Sequence, residues 1–550
     1  MKKLIIFSLA AMVSCCLFGK EGRTLDNVTP KPREASFAKG SFKLKGAGFN
    51  YDPALEARTV KALSELADDI GAALGKTCSV ASAAGVNASA DASLLKGIFF
   101  LKDASLAPEN YRIEVCKKGV KVTAPDHNGF YYAVQTLRQM LPVGNYKAVS
   151  TPGSWKLPCC IINDGPRFAY RGMHLDPCRH FWSVEETKKY LDVMALYKLN
   201  RLHWHLTEDQ GWRMEVKKYP ELTEIGAFRD GTMTGHDFSS NDGIRYGGYY
   251  TREQMKEIVD YAWERGITVI PEIDLPGHMV AALTTYPSLG CTGGPYKVWD
   301  KWGVSEDVLC VGKESTFAFL EDVLDEMCEI FPSEYIHIGG DECPKVRWQT
   351  CPLCQARIKE LGLVSDDKGS AEQKLQNYVT SRIQDYLAGK GRRIIGWDEI
   401  LEGELAPGAT VMSWRGASGG IEAAGRGFDV IMTPNSHMYF DYQQADPAGE
   451  PLGPGYIKDP LTTQKVYSFD PYDRISPENQ GHILGVQANM WTEYIAEPSH
   501  LEYMLLPRML ALSEVQWCTP ENRDYRRFDS DLRGHQFRIL ELLGYSYCDK

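Results

Sequence analysis

Short apolar runs alternate with helix-period segments along most of the chain. From residue 166 onward, strands are expected at 172–176, 201–206, 268–274, 335–339, 393–397, 410–414, 429–432 and 483–488. Helical periodicity fits between most of them, at 184–197, 252–265, 315–330, 371–387 and 420–424, and finally at 502–513. Eight such alternations predict an α/β fold, a (β/α)8 TIM barrel spanning 166–545, better than an open doubly wound sheet.

A different pattern precedes it. Strands are expected at 98–101, 111–115 and 120–123. Residues 129–141 form an amphipathic helix, with Phe130, Val134, Leu137 and Leu141 on one face. We read 25–162 as a small non-catalytic α/β domain, an antiparallel sheet plus helices. Pro158 and Asn163-Asp164-Gly165-Pro166 mark the boundary.

In a (β/α)8 barrel the chemistry gathers where strands end. The eight strands here run out into Asp176-Pro177-Cys178-Arg179, Glu208-Asp209, Glu272 with Asp274 and His278, and Asp341-Glu342. Trp397-Asp398-Glu399, Trp414-Arg415, Tyr439 with Asp441, and Trp491 with Glu493 complete the set. Random surface polarity would not choose the same end each time. The fourth end is the most informative. An apolar strand meets Gly339-Gly340 and presents adjacent carboxylates, the pair that glycoside hydrolysis needs as proton donor and as stabiliser of a cationic centre. Successive strand residues point to opposite faces, so both acids reach one site only if the strand has ended or twisted by Asp341. The two glycines make that bend possible.

Composition narrows the partners. A formal charge of −11 disfavours nucleic acid and anionic membrane surfaces. Lys2-Lys3, the apolar run Leu4 to Val13 and Ser14-Cys15-Cys16 read as a signal peptide over 1–16. It is of bacterial lipoprotein type, with Cys15 or Cys16 lipidated, and implies export to the periplasm or outer membrane. No later segment is long and apolar enough for a membrane span. The short stretch after Trp517 leaves no room for an appended sugar-binding module. Export permits disulfides. Cys291 with Cys310, or Cys343 with Cys351 and Cys354, could staple loops. Zinc at Cys351-Pro352-Leu353-Cys354 is disfavoured, because no second well-spaced ligand pair follows.

Two other functions compete. His203-Trp204-His205 places both imidazoles on one strand face, and with Asp274, His278 and Asp341 it could serve a metal-dependent barrel hydrolase. A non-catalytic sugar-binding protein would keep the tryptophans and Arg179 but has no use for adjacent acids.

The strings RFAYRGMHLDPCRHF, LHWHLTEDQGWR, PEIDLPGH, HIGGDE, GWDE, MSWRG, YFDY and NMWTE resemble glycoside hydrolase family 20, the β-N-acetylhexosaminidases, in order and across the whole barrel. GFYYAVQTLRQML, over 129–141, resembles the small domain that family members carry first. The resemblance implies an exo-acting, retaining, substrate-assisted hydrolase of terminal β-linked N-acetylglucosamine or N-acetylgalactosamine, without cofactor or metal. It acts on oligosaccharides or glycoconjugates through an oxazolinium intermediate. By motif position Glu342 is the general acid and then base. Asp341 orients the acetamido group, and Tyr439 donates to its oxygen. Trp397, Trp414 and Trp491 wall the sugar. Asp441 and Glu493 bind its hydroxyls, as does the Arg179 fork, whereas Arg171 is structural. His278 supports the acid through a carboxylate on the second strand. The family carries two aspartates there and this chain Glu208-Asp209, so either could serve. Family members are often homodimers.

Overall fold

The structure is a computed structural model that describes residues 25–147, 155–367, 369–403, 405 and 407–550; the expected signal peptide and lipidation site, with Cys15 and Cys16, lie outside them. The chain divides into two compact units, residues 32–165 and residues 166–550 together with 26–31.

The first unit is built on a seven-stranded sheet. Its strands are β1 (Glu34–Lys43), β2 (Phe49–Tyr51), β3 (Val80–Ser82), β4 (Gly97–Lys102), β5 (Tyr111–Val115), β6 (Gly119–Ala124) and β7 (Lys156–Asp164), in the order β1-β7-β5-β6-β4-β2-β3. Pairing is antiparallel from β1 to β6 and parallel from β6 to β3. β5 alternates buried and half-buried residues, the signature of a strand with one face on a core. Helix His127–Gln139 begins two residues before its expected start because the Asp126 side chain accepts from Gly129 N at 2.8 Å and caps it. Helix Ala57–Leu74, which buries Leu63, Leu66 and Ile70, was not expected, and no side-chain cap marks its start.

The second unit is a closed eight-stranded parallel barrel. Its strands are β8 (Tyr170–Leu175), β9 (Arg201–His205), β10 (Thr268–Glu272), β11 (Tyr335–His337), β12 (Arg393–Trp397), β13 (Thr410–Ser413), β14 (Asp429–Met432) and β15 (Ile483–Ala488). The β15–β8 pairing closes the ring. Capping boxes at Ser183, Thr251 and Ser370 start the helices Val184–Leu196, Arg252–Glu264 and Ala371–Gly389, so each exits its loop at a fixed point. Tyr170, Ile270, Ile395, Trp397, Met412 and Ile431 form one apolar core, with Trp414 and Trp491 packed on it.

Three expectations change. The helix expected over 502–513 is two, Pro498–Leu505 and Arg508–Trp517. Pro507 lies between them, with no N–H to donate and a ring that clashes with a preceding helical turn. β10 and β11 end two residues earlier than expected, at Glu272 and His337, although Ile273 N and Leu275 N still donate to His337 O and Ile338 O. The thirteen described cysteines are all free, and Cys343 stands apart from Cys351 and Cys354. The second cysteine pair missing downstream exists upstream: Cys291 and Cys310 meet Cys351 and Cys354.

Candidate active site

β11 is only three residues long, and its backbone turns left-handed immediately afterwards, at Gly339 (φ 63°), Gly340 (φ 101°) and Glu342 (φ 44°). A Cβ at position 339 would stand 2.7 Å from Asp274 Cα, so only glycine permits this approach of the two loops. The turn answers the alternation problem. Asp341 Oδ2 and Glu342 Oε2 lie 3.9 and 3.7 Å from the same atom, His278 Nε2. Glu342 and His278 (φ 51°) are themselves non-glycine residues at positive φ, a strain that clusters at functional sites.

His278 Nδ1 faces the second strand's acids, 2.7 Å from Glu208 Oε1 and 3.5 Å from Asp209 Oδ2. The longer side chain therefore makes the close contact. Asp209 instead accepts from Val280 N at 3.0 Å, which holds the backbone that carries His278. Burial alone would drive His278 neutral, but Glu208 and Asp209 outweigh it and hold the imidazole protonated well above its ordinary range. Glu208 resists its own burial in the same way, kept ionised by Arg179 at 3.0 Å and by His278.

The network continues into the barrel. His205 reaches Glu208 through Nε2 (3.2 Å) and Glu272 through Nδ1. Glu272 also takes His203 Nε2 at 3.0 Å and Trp397 Nε1 at 3.0 Å, and His337 Nδ1, which accepts from Gly339 N at 3.1 Å, lies 2.9 Å from it. Burial disfavours a charged His205, yet Glu272 and Glu208 raise its pKa to about 10. Both histidines of the His203-Trp204-His205 segment are thus spent on a carboxylate. Glu272 lay in a quoted motif, but its role as the hub of three histidines depends on strands β9, β10 and β11 closing side by side.

Glu342 keeps 43% side-chain exposure, so its charge is only partly shielded from water. Partial burial, and after it the Asp341 charge, raise its pKa above the ordinary value; His278 and Arg179 pull the other way. Two further acids respond to Asp341. Buried Asp274 is raised well above the usual range by burial and then by Asp341, and its Oδ1 accepts from Gly340 N at 3.1 Å. Glu399 is pushed up to about 8 by burial, Asp341 and Asp398. Both therefore hold their protons more tightly than an ordinary carboxyl does. Both stood among the strand-end residues read from sequence, but their response to Asp341 could not be read there, since it depends on proximity in the fold.

Trp397 is buried and Trp491 packs against it, ring centroids 5.9 Å apart. Trp414 lies nearly parallel to Tyr439, at 6.1 Å and 23°, and donates to Glu399 at 3.0 Å. Burial keeps Tyr439 a phenol, able to donate. Arg179 lies 5.0 Å above the Trp491 ring and 4.0 Å from Glu493. Three of its five N–H groups go to Gln210 (3.1 Å), Asp176 (3.2 Å) and Glu208 (3.0 Å), which leaves two. Arg171, by contrast, is buried with its guanidinium on the carbonyls of Lys198 and Phe168. Among the described residues, His278 Nε2, Asp341 Oδ1 and Asp441 Oδ1 are buried with no hydrogen-bond partner. Unpaired buried polar atoms are costly, so this set fits a polar ligand that supplies the partners.

The comparisons with known proteins agree with this geometry. Residues 168–520 match the model of the glycosyl hydrolase family 20 catalytic domain, and residues 26–165 match that of the same family's domain 2. A beta-hexosaminidase of Porphyromonas gingivalis is 45% identical over 444 residues, which cover 80% of this chain and 55% of the relative; the chain thus spans about half that relative's length. The family 20 exo beta-N-acetylglucosaminidase of Vibrio harveyi, solved with N-acetylglucosamine, superposes with a TM-score of 0.81 at 32% identity, over 95% of this chain and 78% of that one. The family 20 beta-N-acetylhexosaminidase of Streptomyces coelicolor gives 0.80 at 30% identity, over 96% and 98%. With its closed barrel, its leading domain and its paired acids, the chain belongs to glycosyl hydrolase family 20.

Proposed function

We propose that this protein is an exo-acting β-N-acetylhexosaminidase that releases terminal N-acetylglucosamine or N-acetylgalactosamine with retention. The observation that carries the reading is the convergence of Asp341 and Glu342 on His278 Nε2, with Glu208 on the imidazole's other nitrogen. Glu342, its pKa raised, gives its proton to the leaving glycosidic oxygen. The substrate's own acetamido oxygen attacks the anomeric carbon as that bond breaks and closes an oxazolinium ring. Asp341 accepts from the acetamido N–H and stabilises the positive charge, and Tyr439 donates to the acetamido oxygen to align it. Water then opens the ring, and Glu342 takes back a proton. Trp397, Trp414 and Trp491 enclose the acetamido group and sugar face. The two remaining Arg179 donors, Asp441 and Glu493 bind hydroxyls.

The test is release of p-nitrophenol from the β-N-acetylglucosaminide and the β-glucoside by wild type and Glu342→Gln, after brief exposure to chelator. Selective cleavage of the acetamido sugar, lost in the variant when the leaving group is poor, supports the reading. Equal cleavage of both sugars, or equal loss on all leaving groups, removes it. Activity abolished by chelator with the fold intact points instead to a metal-dependent hydrolase. We also propose export and lipidation at Cys15 or Cys16, on the strength of the basic, apolar and cysteine sequence of 1–16. Labelled palmitate should enter the wild type and not the Cys15→Ser, Cys16→Ser double variant.

A further inference from the structure

Four cysteines outside the proposed site converge from two separate segments. Cys291 and Cys310 lie between β10 and helix Glu314–Ile330. Cys351 is the residue before helix Pro352–Glu360, and Cys354 sits in that helix's first turn. All four sulfurs lie within 4.8 Å of one another, and Cys310, Cys351 and Cys354 are buried. The closest separations are 3.7 Å for Cys310 to Cys351, 3.7 Å for Cys310 to Cys354 and 3.8 Å for Cys291 to Cys354.

These lengths fit a metal-centred cluster better than a disulfide. A disulfide brings two sulfurs to about 2.05 Å. A zinc ion with four thiolates at about 2.3 Å places neighbouring sulfurs on the edges of a tetrahedron about 3.8 Å long. The three closest separations match that edge and none approaches a disulfide.

The surrounding backbone is built to bring the sulfurs together. Gly290 bridges Leu309 antiparallel, and Cys310 N donates to Leu289 O at 2.7 Å, so Cys291 and Cys310 each directly follow one residue of the same bridge. A Cβ at Gly312 would stand 2.3 Å from the Leu353 carbonyl carbon and 2.6 Å from Cys354 N; any other residue would push the two segments apart. Lys313 Nζ is fixed on the carbonyls of Ser288 and Gly290, next to Cys291, where its charge partly offsets that of a tetrathiolate.

We propose that Cys291, Cys310, Cys351 and Cys354 bind one zinc ion as a closed tetrathiolate. Zn²⁺ displaces four thiol protons and no oxidation occurs. Four protein ligands leave no open position, so the ion is structural. Its consequence is positional. Cys291 and Cys310 belong to the same connection as His278, and Cys351 and Cys354 to the same connection as Asp341 and Glu342. The ion therefore ties the segment carrying the imidazole to the segment carrying the acids.

Zinc content of the purified full-length protein, prepared without metal-affinity steps, tests this independently of any hydrolytic activity. Elemental analysis and native mass should give one zinc per chain, released by a mercurial thiol reagent. Cys354→Ser should lose it and Cys328→Ser should keep it. Cobalt substituted for zinc should show the intense sulfur-to-metal charge-transfer bands of four-thiolate coordination. Should Cys354→Ser fail to fold, the wild-type measurements alone decide. A wild-type protein with no metal and four reduced thiols, or one with the mass deficit of two disulfides, overturns the proposal.

Discussion

Removing the Asp341 charge should move the basic limb of the pH profile toward acid. Asp341 Oδ2 and Glu342 Oε2 are 3.9 and 3.7 Å from one nitrogen, so they are no more than about 8 Å apart. At that separation two like charges repel by about 0.5 kcal/mol in a water-like medium and about 2 kcal/mol at an effective dielectric constant of 20. At 1.36 kcal/mol per pH unit, Asp341→Asn should therefore lower the Glu342 pKa by between about 0.4 and 1.5. The 43% exposure of Glu342 favours the lower half of that range. Because the acid must be protonated to act, kcat/KM falls as pH rises through this pKa, and that profile reports the free enzyme. The assay is kcat/KM against pH for wild type and Asp341→Asn on a substrate with a poor leaving group. An activated leaving group needs no proton and should show a much weaker limb. A limb that stays put or moves toward alkali in Asp341→Asn would refute the electrostatic pairing.

Glu208→Gln strips one buried carboxylate of its contacts with Arg179, His205 and His278 and should cost about 3–5 kcal/mol of stability, read as a fall in the denaturant midpoint. Asp209→Asn, whose partner at hydrogen-bond distance is Val280 N, should cost less. The Glu399 pKa is raised from 4.5 to about 8, so its contribution to stability is present below pH 4.5 and lost as pH rises toward 8. Glu399→Gln should flatten that decline, seen as a smaller drop in Tm between pH 5 and 8 than in wild type; an unchanged slope would contradict it. Trp414→Ala removes a wall packed on Tyr439 and should raise KM by about tenfold, an aromatic contact of order 1 kcal/mol plus lost apolar area. An unchanged KM would place the sugar elsewhere.

The barrel was legible because buried parallel strands are apolar and chemistry collects at their ends. Asp341, Glu342, His278 and the three tryptophans were singled out as candidates by their places at those ends. What escaped depends on closure or on distant chain segments. The left-handed turn at Glu342 cannot be read from a residue that normally avoids it. The hub role of Glu272 needs β9 and β11 on either side. Glu399 titrates abnormally because the fold brings it near Asp341. The cysteine cluster joins residues 41 and 44 apart in sequence, and one more 63 apart, so a search for a following ligand pair could not find it. Pro507 is different: a proline inside the segment expected as one helix already argued for the break.

The central claim is that the substrate's own acetamido oxygen is the nucleophile. It is tested most directly by hydrolysis of p-nitrophenyl β-glucosaminides bearing acetyl, fluoroacetyl, difluoroacetyl and trifluoroacetyl groups on nitrogen. Each fluorine drains electron density from that oxygen, so the account predicts that kcat falls steeply and in order along the series. A kcat unchanged across the four substrates would mean that a protein group or a water molecule attacks, and would contradict the account.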